Sequence, residues 1–228
     1  MTTDATADAG GIVLFGDVVG SRRDAEGSAT WLRTLCAELE IAFPAAERLA
    51  GFGFTQGDEL QGLLESGADP FRAILIGALH EAAKPMRWVV TVGPVAPGSG
   101  PATERTGAAF VRARETLATA KARRDLLLVR TGEPGADRLL DDLAPVLGEM
   151  LADLTSRQRE IAWLALVEDL SQAEAAERLD IARATVSVAY RRGHIRSIAR
   201  LVESLRAVFA AALLALSDEA APGRGTLS

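Results

Sequence analysis

Two acidic residues, each set beside glycine at the end of a strand-like run, carry the first chemical signal in this chain. In Gly16-Asp17-Val18-Val19-Gly20-Ser21-Arg22 the carboxylate of Asp17 follows the apolar, β-prone run Ile12 to Phe15, and Gly20-Ser21 offers a turn that can open a helix. The free N–H groups of a helix start make a seat for phosphate. In Gln56-Gly57-Asp58-Glu59-Leu60 a second carboxylate, Asp58, sits at the tip of a hairpin with arms Leu49 to Thr55 and Leu60 to Leu64, where Gly57 is expected to supply a positive φ. If the first strand pairs beside this hairpin the two carboxylates converge, and they repel unless a cation lies between them. Mg²⁺ carrying the phosphates of a nucleotide is the natural occupant. The plain alternative is two turn aspartates, which is what most Gly-Asp pairs are.

The elements that must position these groups follow from hydrophobic period. Ile12 to Val19 reads as a strand, Thr30 to Ile41 as a helix, and the hairpin comes next. Asp69 as N-cap and Pro70 at the first helical position predict a helix to Ala83, ended by Pro85. Met86 to Val92 is a β-branched run, Pro97 to Pro101 an irregular loop, and Thr106 to Arg123 a helix with Ala109, Phe110, Ala113, Leu117 and Ala120 on one face. A strand at Leu126 to Arg130 completes the order β-α-β-β-α-β-α-β, a ferredoxin-like core with one addition. After the turn-rich break Thr131 to Gly135 only helices are predicted. The expected fold is therefore α+β with an all-α C-terminal domain, divided as 1–136 and 137–228.

Composition sets the outer limits. The chain has 228 residues, net charge −6 and one cysteine, Cys36, on an apolar helical stretch, so a disulfide framework is excluded and a reducing, cytoplasmic setting is expected. No basic, apolar signal pattern opens the sequence, and the longest apolar run, Ala207 to Leu216, is too short to span a bilayer. The acidic total hides a local asymmetry, because Ile181 to Leu201 holds five arginines and no acid. Residues Pro222 to Ser228 carry the composition of a disordered end.

The C-terminal half places that asymmetry on a helix pair. Thr155 and Ser156 cap one predicted helix, Ser171 caps a second, and Leu179-Asp180-Ile181 turns into a third from about Arg183 to Ile195, with Val186 and Tyr190 inward and Arg183, Thr185, Ser187 and Arg191 outward. A second helix that is basic and small at its start suits a reader of the major groove; an ordinary three-helix bundle is the competing reading. The stretch from Leu154-Thr155-Ser156-Arg157-Gln158-Arg159-Glu160 through Ala175 and Leu179-Asp180-Ile181 to Ala184-Thr185-Val186-Ser187 resembles the helix-turn-helix of sigma-factor region 4. That resemblance assigns base-edge contacts to Arg183, Ala184, Thr185, Ser187 and Arg191, and phosphate contacts to Gln172, Arg192 and Arg196.

The first half has a resemblance of its own. Phe15 to Ser21, Gly57 to Gln61, Val90 to Val95 and Gly107 to Arg114 occur in the order of class III nucleotidyl cyclase domains, and the whole chain resembles the SatD family, in which such a domain precedes a helix-turn-helix. The resemblance implies metal binding at Asp17 and Asp58, a triphosphate along Val18, Val19, Gly20, Ser21 and Arg22, and base-facing positions at Phe54 and Glu104. It also places Val111 and Glu115 where cyclases carry their transition-state asparagine and arginine, unless a register slip brings in Arg112 or Arg114. A carboxylate in place of a guanidinium has the wrong sign for developing phosphate charge. The expectation is a DNA-binding transcriptional regulator sensing a nucleotide-type ligand through a degenerate cyclase-like domain; the alternative is an active or divergent cyclase. A homodimer is expected, joined through the stripe Ile198, Leu201, Val202, Leu205, Phe209, Leu213 and Leu216, which could equally be intramolecular core.

Overall fold

In the structure, a computed structural model describing residues 9–55 and 58–220, the chain is organised around one central strand. Strand β1 (Ala9–Val18) alternates two sets of side chains. Ile12, Leu14 and Val18 enter one buried cluster, and Val13 and Phe15 enter another on the opposite face. It pairs antiparallel on both edges, with β3 (Glu59–Leu64) in the register Ile12↔Leu64 to Asp17↔Glu59 and with β4 (Met86–Val95) in the register Ala9↔Val95 to Val18↔Met86. Strand β2 (Arg48–Phe54) closes the hairpin with β3, and β5 (Leu127–Arg130) adds parallel to β4, so the sheet runs β2-β3-β1-β4-β5. The first four strands have the ferredoxin-like order expected, and β5 is the addition. The positive φ expected of Gly57 and the chain end from Pro222 lie outside the described residues.

The helices begin and end where local chemistry sets them. Helix α1 (Ala25–Ala42) starts earlier than Thr30 because the Asp24 carboxylate caps it, accepting from the Gly27 N–H at 3.0 Å. Helix α2 (Pro70–Leu79) opens on Asp69 and Pro70 as expected. It stops short of Ala83 because His80 turns extended and its Nδ1 accepts from the Ala82 N–H. Strand β4 continues past the predicted stop at Gly93-Pro94: its pairing with β5 ends at Thr91, leaving a free edge where the missing proline N–H costs no ladder bond. Helix α3 (Ala108–Arg123) lays the predicted face of Ala109, Phe110, Ala113, Leu117 and Ala120 on the Val13 side of the sheet. The buried Thr91 hydroxyl locks it there by donating to the Ala109 carbonyl at 2.9 Å. Gly16 is required by close approach, since a Cβ there would lie 2.7 Å from Met86 and 2.9 Å from Trp88.

Helix α4 (Pro134–Ala152) joins the two halves, followed by α5 (Ser156–Leu166), α6 (Gln172–Arg178), α7 (Arg183–Arg192) and α8 (Ile195–Ala220). The halves share their core. Ala136, Leu140, Ala144, Leu147 and Leu151 of α4 belong to the same buried cluster as Trp88 and Val129 of the sheet and Ile198, Val202, Leu205, Phe209 and Ala212 of α8. Phe209 stands edge-on to Phe71 of α2 with centroids 5.8 Å apart, and Arg206 pairs with Asp69 at 2.6 Å. Ile198, Val202, Leu205 and Phe209 of the α8 stripe that offered a dimer seam are therefore spent inside the chain, against α4 and α2, while Leu213 and Leu216 at its end are part-exposed and line an open groove.

A shared core implies one cooperative unfolding unit. Phe209→Ala should destabilise the whole chain by about 3–5 kcal/mol, lowering a single urea midpoint that far-ultraviolet dichroism and tryptophan fluorescence report together; two separated transitions would contradict the shared core. Half-buried Cys36, its thiol pushed up to about 11 by burial, should resist alkylation at neutral pH until the protein unfolds.

Candidate DNA interface and anion pocket

Asp17 is only 4% exposed and faces the α3 side of the sheet. A carboxylate so buried needs compensation, and two cations from different elements supply it. Arg87, its register partner on β4, donates from Nη1 to Oδ2 at 3.1 Å, and Lys121 of α3 donates from Nζ to Oδ1 at 2.7 Å. Arg87 is held from behind, its Nε donating to the Asp125 carbonyl at 3.1 Å. The Ser21 hydroxyl donates to the Asp58 carboxylate, and the Val18 N–H donates to the Asp58 carbonyl at 2.9 Å. Antiparallel pairing of β1 with the hairpin thus brings Asp17 and Asp58 to one pocket. It is an open hollow of about 410 Å³ lined by these two with Val18, Val19, Gly20, Ser21, Arg22, Arg23, Arg87 and Lys121.

The phosphate seat expected at a helix start is not formed as the sequence suggested. Gly20, at φ 76°, leads into a single 3₁₀ turn, Ser21–Arg23, and the true N-terminus of α1 is closed by Asp24. Lys84, bonded to the Asp24 carboxylate, holds it below the usual carboxylate range. The Val18 and Val19 amides are committed to the carbonyls of Asp58 and Pro85. The amides of Gly20, Ser21 and Arg22 have no hydrogen-bond partner among the described residues, and the pocket adds side-chain charge from Arg22, Arg23, Arg87 and Lys121. Arg87 and Lys121 escaped the sequence reading; the available signals were a charge breaking the β4 run and a lysine one turn beyond Leu117, at the margin of the α3 apolar face.

The base-facing candidates lie elsewhere. Phe54 packs into the cluster on the α1 face, opposite to Asp17, and Glu104 is exposed on the short turn Ala102–Glu104; neither lines the pocket. Val111 and Glu115 are exposed on the outer side of α3. A register slip brings nothing in: Arg112 donates to the carbonyls of Val92 and Thr131 at the far end of the sheet, and Arg114 is exposed.

Nor does the donor set, as arranged, fit a resident Mg²⁺. Both oxygens of Asp17 already accept from a protein cation, Arg87 on one and Lys121 on the other. Glu59, across from Asp17, is bonded by the Gln61 amide and lies outside the lining. Among the described residues no cluster of three or more His, Cys, Asp or Glu side chains is placed to hold a metal.

The second candidate surface is built by α5, α6 and α7. Two reciprocal capping boxes fix the helix starts, Thr155 with Gln158 and Ser171 with Glu174. Small residues Ala175 and Ala176, both buried, let α7 lie close on α6. Asp180 takes the left-handed conformation at φ 48°, which its short polar side chain tolerates, and Val186 is fully buried as the anchor of α7. Residues 146–193 match the family model for sigma-70, region 4. The match covers about a fifth of the chain, from the end of α4 to the end of α7. Comparison of the chain with curated proteins returned no match.

Within this helix-turn-helix the expected contact residues divide by position. Arg183, Ala184, Thr185, Ser187 and Arg191 are exposed on α7, and Arg192 is exposed at its end. Gln172 is half-buried in the first turn of α6. Arg196 does not continue α7: Gly193 and a left-handed His194, at φ 51°, break the helix, so Arg196 is exposed at the start of α8. Arg157 and Gln158 of α5 border one groove with Ala184, Thr185, Val188 and Arg192. Val188 was overlooked because an apolar residue reads as core; here it is 38% exposed, available to an apolar base edge.

Replacing Arg183 and Arg191 together by Ala should weaken duplex binding by about tenfold or more, with wild-type affinity falling steeply as salt rises. Fluorescence anisotropy against salt concentration checks both; equal affinity in the folded double variant would remove α7 from the interface.

Proposed function

We propose that this protein is a DNA-binding regulator of transcription whose sheet domain takes a phosphorylated, nucleotide-type ligand and thereby adjusts DNA affinity. The observation that carries the DNA-binding half is the exposed, acid-free arginine face of α7 inside the sigma-70 region 4 match. An otherwise acidic protein that concentrates arginine on one helix has its electrostatic footprint there.

The ligand half draws its support from the mixed-charge pocket at Asp17 and from its connection to the helical module. Asp125, whose carbonyl holds Arg87, pairs through its carboxylate with Arg123 at 2.8 Å, and both Arg123 and Arg130 reach Asp141 on α4. A charge change at the pocket therefore has a continuous polar route to the helix on which the DNA-binding module is built. A ligand can shift DNA affinity only through different affinities for two arrangements of this assembly. Pairing of two copies on symmetric half-sites belongs to the same reading and would need a surface other than the buried part of the α8 stripe.

The cyclase alternative has less support from this pocket. Val111 and Glu115 are exposed on the outer side of α3 and none of the helix's arginines lines the pocket, so the transition-state contacts that cyclases place on this helix are missing. Incubation with ATP or GTP and Mg²⁺ should give no chromatographically detectable cyclic nucleotide. Binding of a selected duplex should change when the nucleotide identified by calorimetry is added. Robust cyclic product, abolished by Asp17→Ala, would establish the enzyme instead, and a duplex affinity indifferent to every nucleotide that binds would reduce the sheet domain to a scaffold.

A further inference from the structure

We propose that the Asp17 pocket binds a di- or triphosphate group directly on protein cations, with the Lys121 ammonium standing where a divalent metal would otherwise bridge the carboxylates to the ligand. The proposal rests on the phosphate reading above and changes its chemistry. A two-carboxylate metal site presents uncommitted oxygens to the metal. Here each oxygen of Asp17 already accepts from a charged donor, Lys121 on Oδ1 and Arg87 on Oδ2, from two elements fixed by different contacts. Arg87 is anchored by the Asp125 carbonyl, and its side chain is only 12% exposed. Expelling either cation to admit Mg²⁺ would trade a formed, partly buried pair for the dehydration of a strongly hydrated ion.

The charge that remains is anion-attracting. Four cationic side chains line the hollow against two carboxylates, one of which is consumed by Arg87 and Lys121. The Nη2 of Arg87 has no partner among the described residues, and the Lys121 side chain is 48% exposed, so both present further N–H donors to an incoming oxyanion. A guanidinium at the pocket floor with an ammonium at its wall matches tetrahedral oxyanions of multiple charge. A monocarboxylate would leave Arg22 and Arg23 at the rim unanswered. In this arrangement Asp58 repels the ligand, whereas in a metal-bridged site it would be needed to hold the metal. The two mechanisms therefore predict opposite signs for one substitution.

Calorimetric titration of the full chain with inorganic triphosphate, and in parallel with ATP, is carried out in EDTA and again in Mg²⁺. Triphosphate should bind in EDTA. Lys121→Met, which keeps the aliphatic stem, should weaken binding by about tenfold or more, the worth of one charge-assisted hydrogen bond. Asp58→Asn, which keeps an acceptor for Ser21, should leave affinity in EDTA equal or tighter. Tighter binding of ATP than of free triphosphate identifies a nucleotide as the source of the phosphates, and equal binding identifies the phosphate chain itself; either supports the site. Binding that appears only with Mg²⁺ and is lost in Asp58→Asn overturns the metal-free mechanism while keeping the phosphate reading. No heat from either probe under both conditions overturns the phosphate reading itself. Full affinity in a folded Lys121→Met overturns the role of the ammonium.

Discussion

Helix α4 is buried on two sides at once. Its Leu140, Ala144, Leu147 and Leu151 lie in a cluster that runs without interruption from Ile12 on the central strand to Ala212 near the end of α8. A linker helix with one polar face would leave two domains free to move, but this one is a core element of both. Each of its larger apolar side chains contributes about 1.5–3 kcal/mol when removed from water, which exceeds the worth of the surface ion pairs around it, commonly below about 1 kcal/mol. The position of the helix-turn-helix is thus set by packing, and the polar contacts tune rather than determine it.

The same shared core constrains any regulation. A pocket at one end of β1 cannot signal by releasing a flexible tether. It has to bias a packed assembly through elements already in contact. Arg87, Asp125, Arg123 and Asp141 supply such contacts between the pocket and α4. A second joint lies at His80, whose ring packs against Trp31 of α1 on one side and edge-on to Trp163 of α5 on the other. Both joints join the sheet half to the helical half through rigid groups, so small displacements are transmitted or resisted by close packing.

Charge in the pocket illustrates how burial rewrites a motif. On paper, Gly-Asp after a strand offers a carboxylate to a metal. In the fold, Asp17 faces the crowded side of a five-stranded sheet, where an unpaired carboxylate is untenable, and the chain has met that cost with its own arginine and lysine. Removing Arg87 would leave the buried carboxylate of Asp17 with Lys121 as its one remaining cation, so this residue ties β1 to β4 as well as lining the site. Lys121, half exposed, shares that compensation and keeps further donors toward solvent.

Local patterns were enough to determine much of this protein. Alternation in Ile12–Val18, the Asp69-Pro70 start of α2, the inward face of α3 and the caps at Thr155 and Ser171 are short-range properties, each legible because neighbouring residues supply both partners of the interaction. The outward set on α7 was legible for the same reason, since a helix three turns long needs only one buried residue, Val186, to fix which way its arginines face. The convergence of Asp17 and Asp58 was conditional on strand pairing, and that pairing occurs. Only the tertiary structure decided what surrounds Asp17, because Arg87 is 70 and Lys121 104 residues away and neither distance leaves a local trace. It alone decided that α8 folds back onto α2 and α4: an apolar stripe specifies that it must be covered, and the sequence does not say by which face.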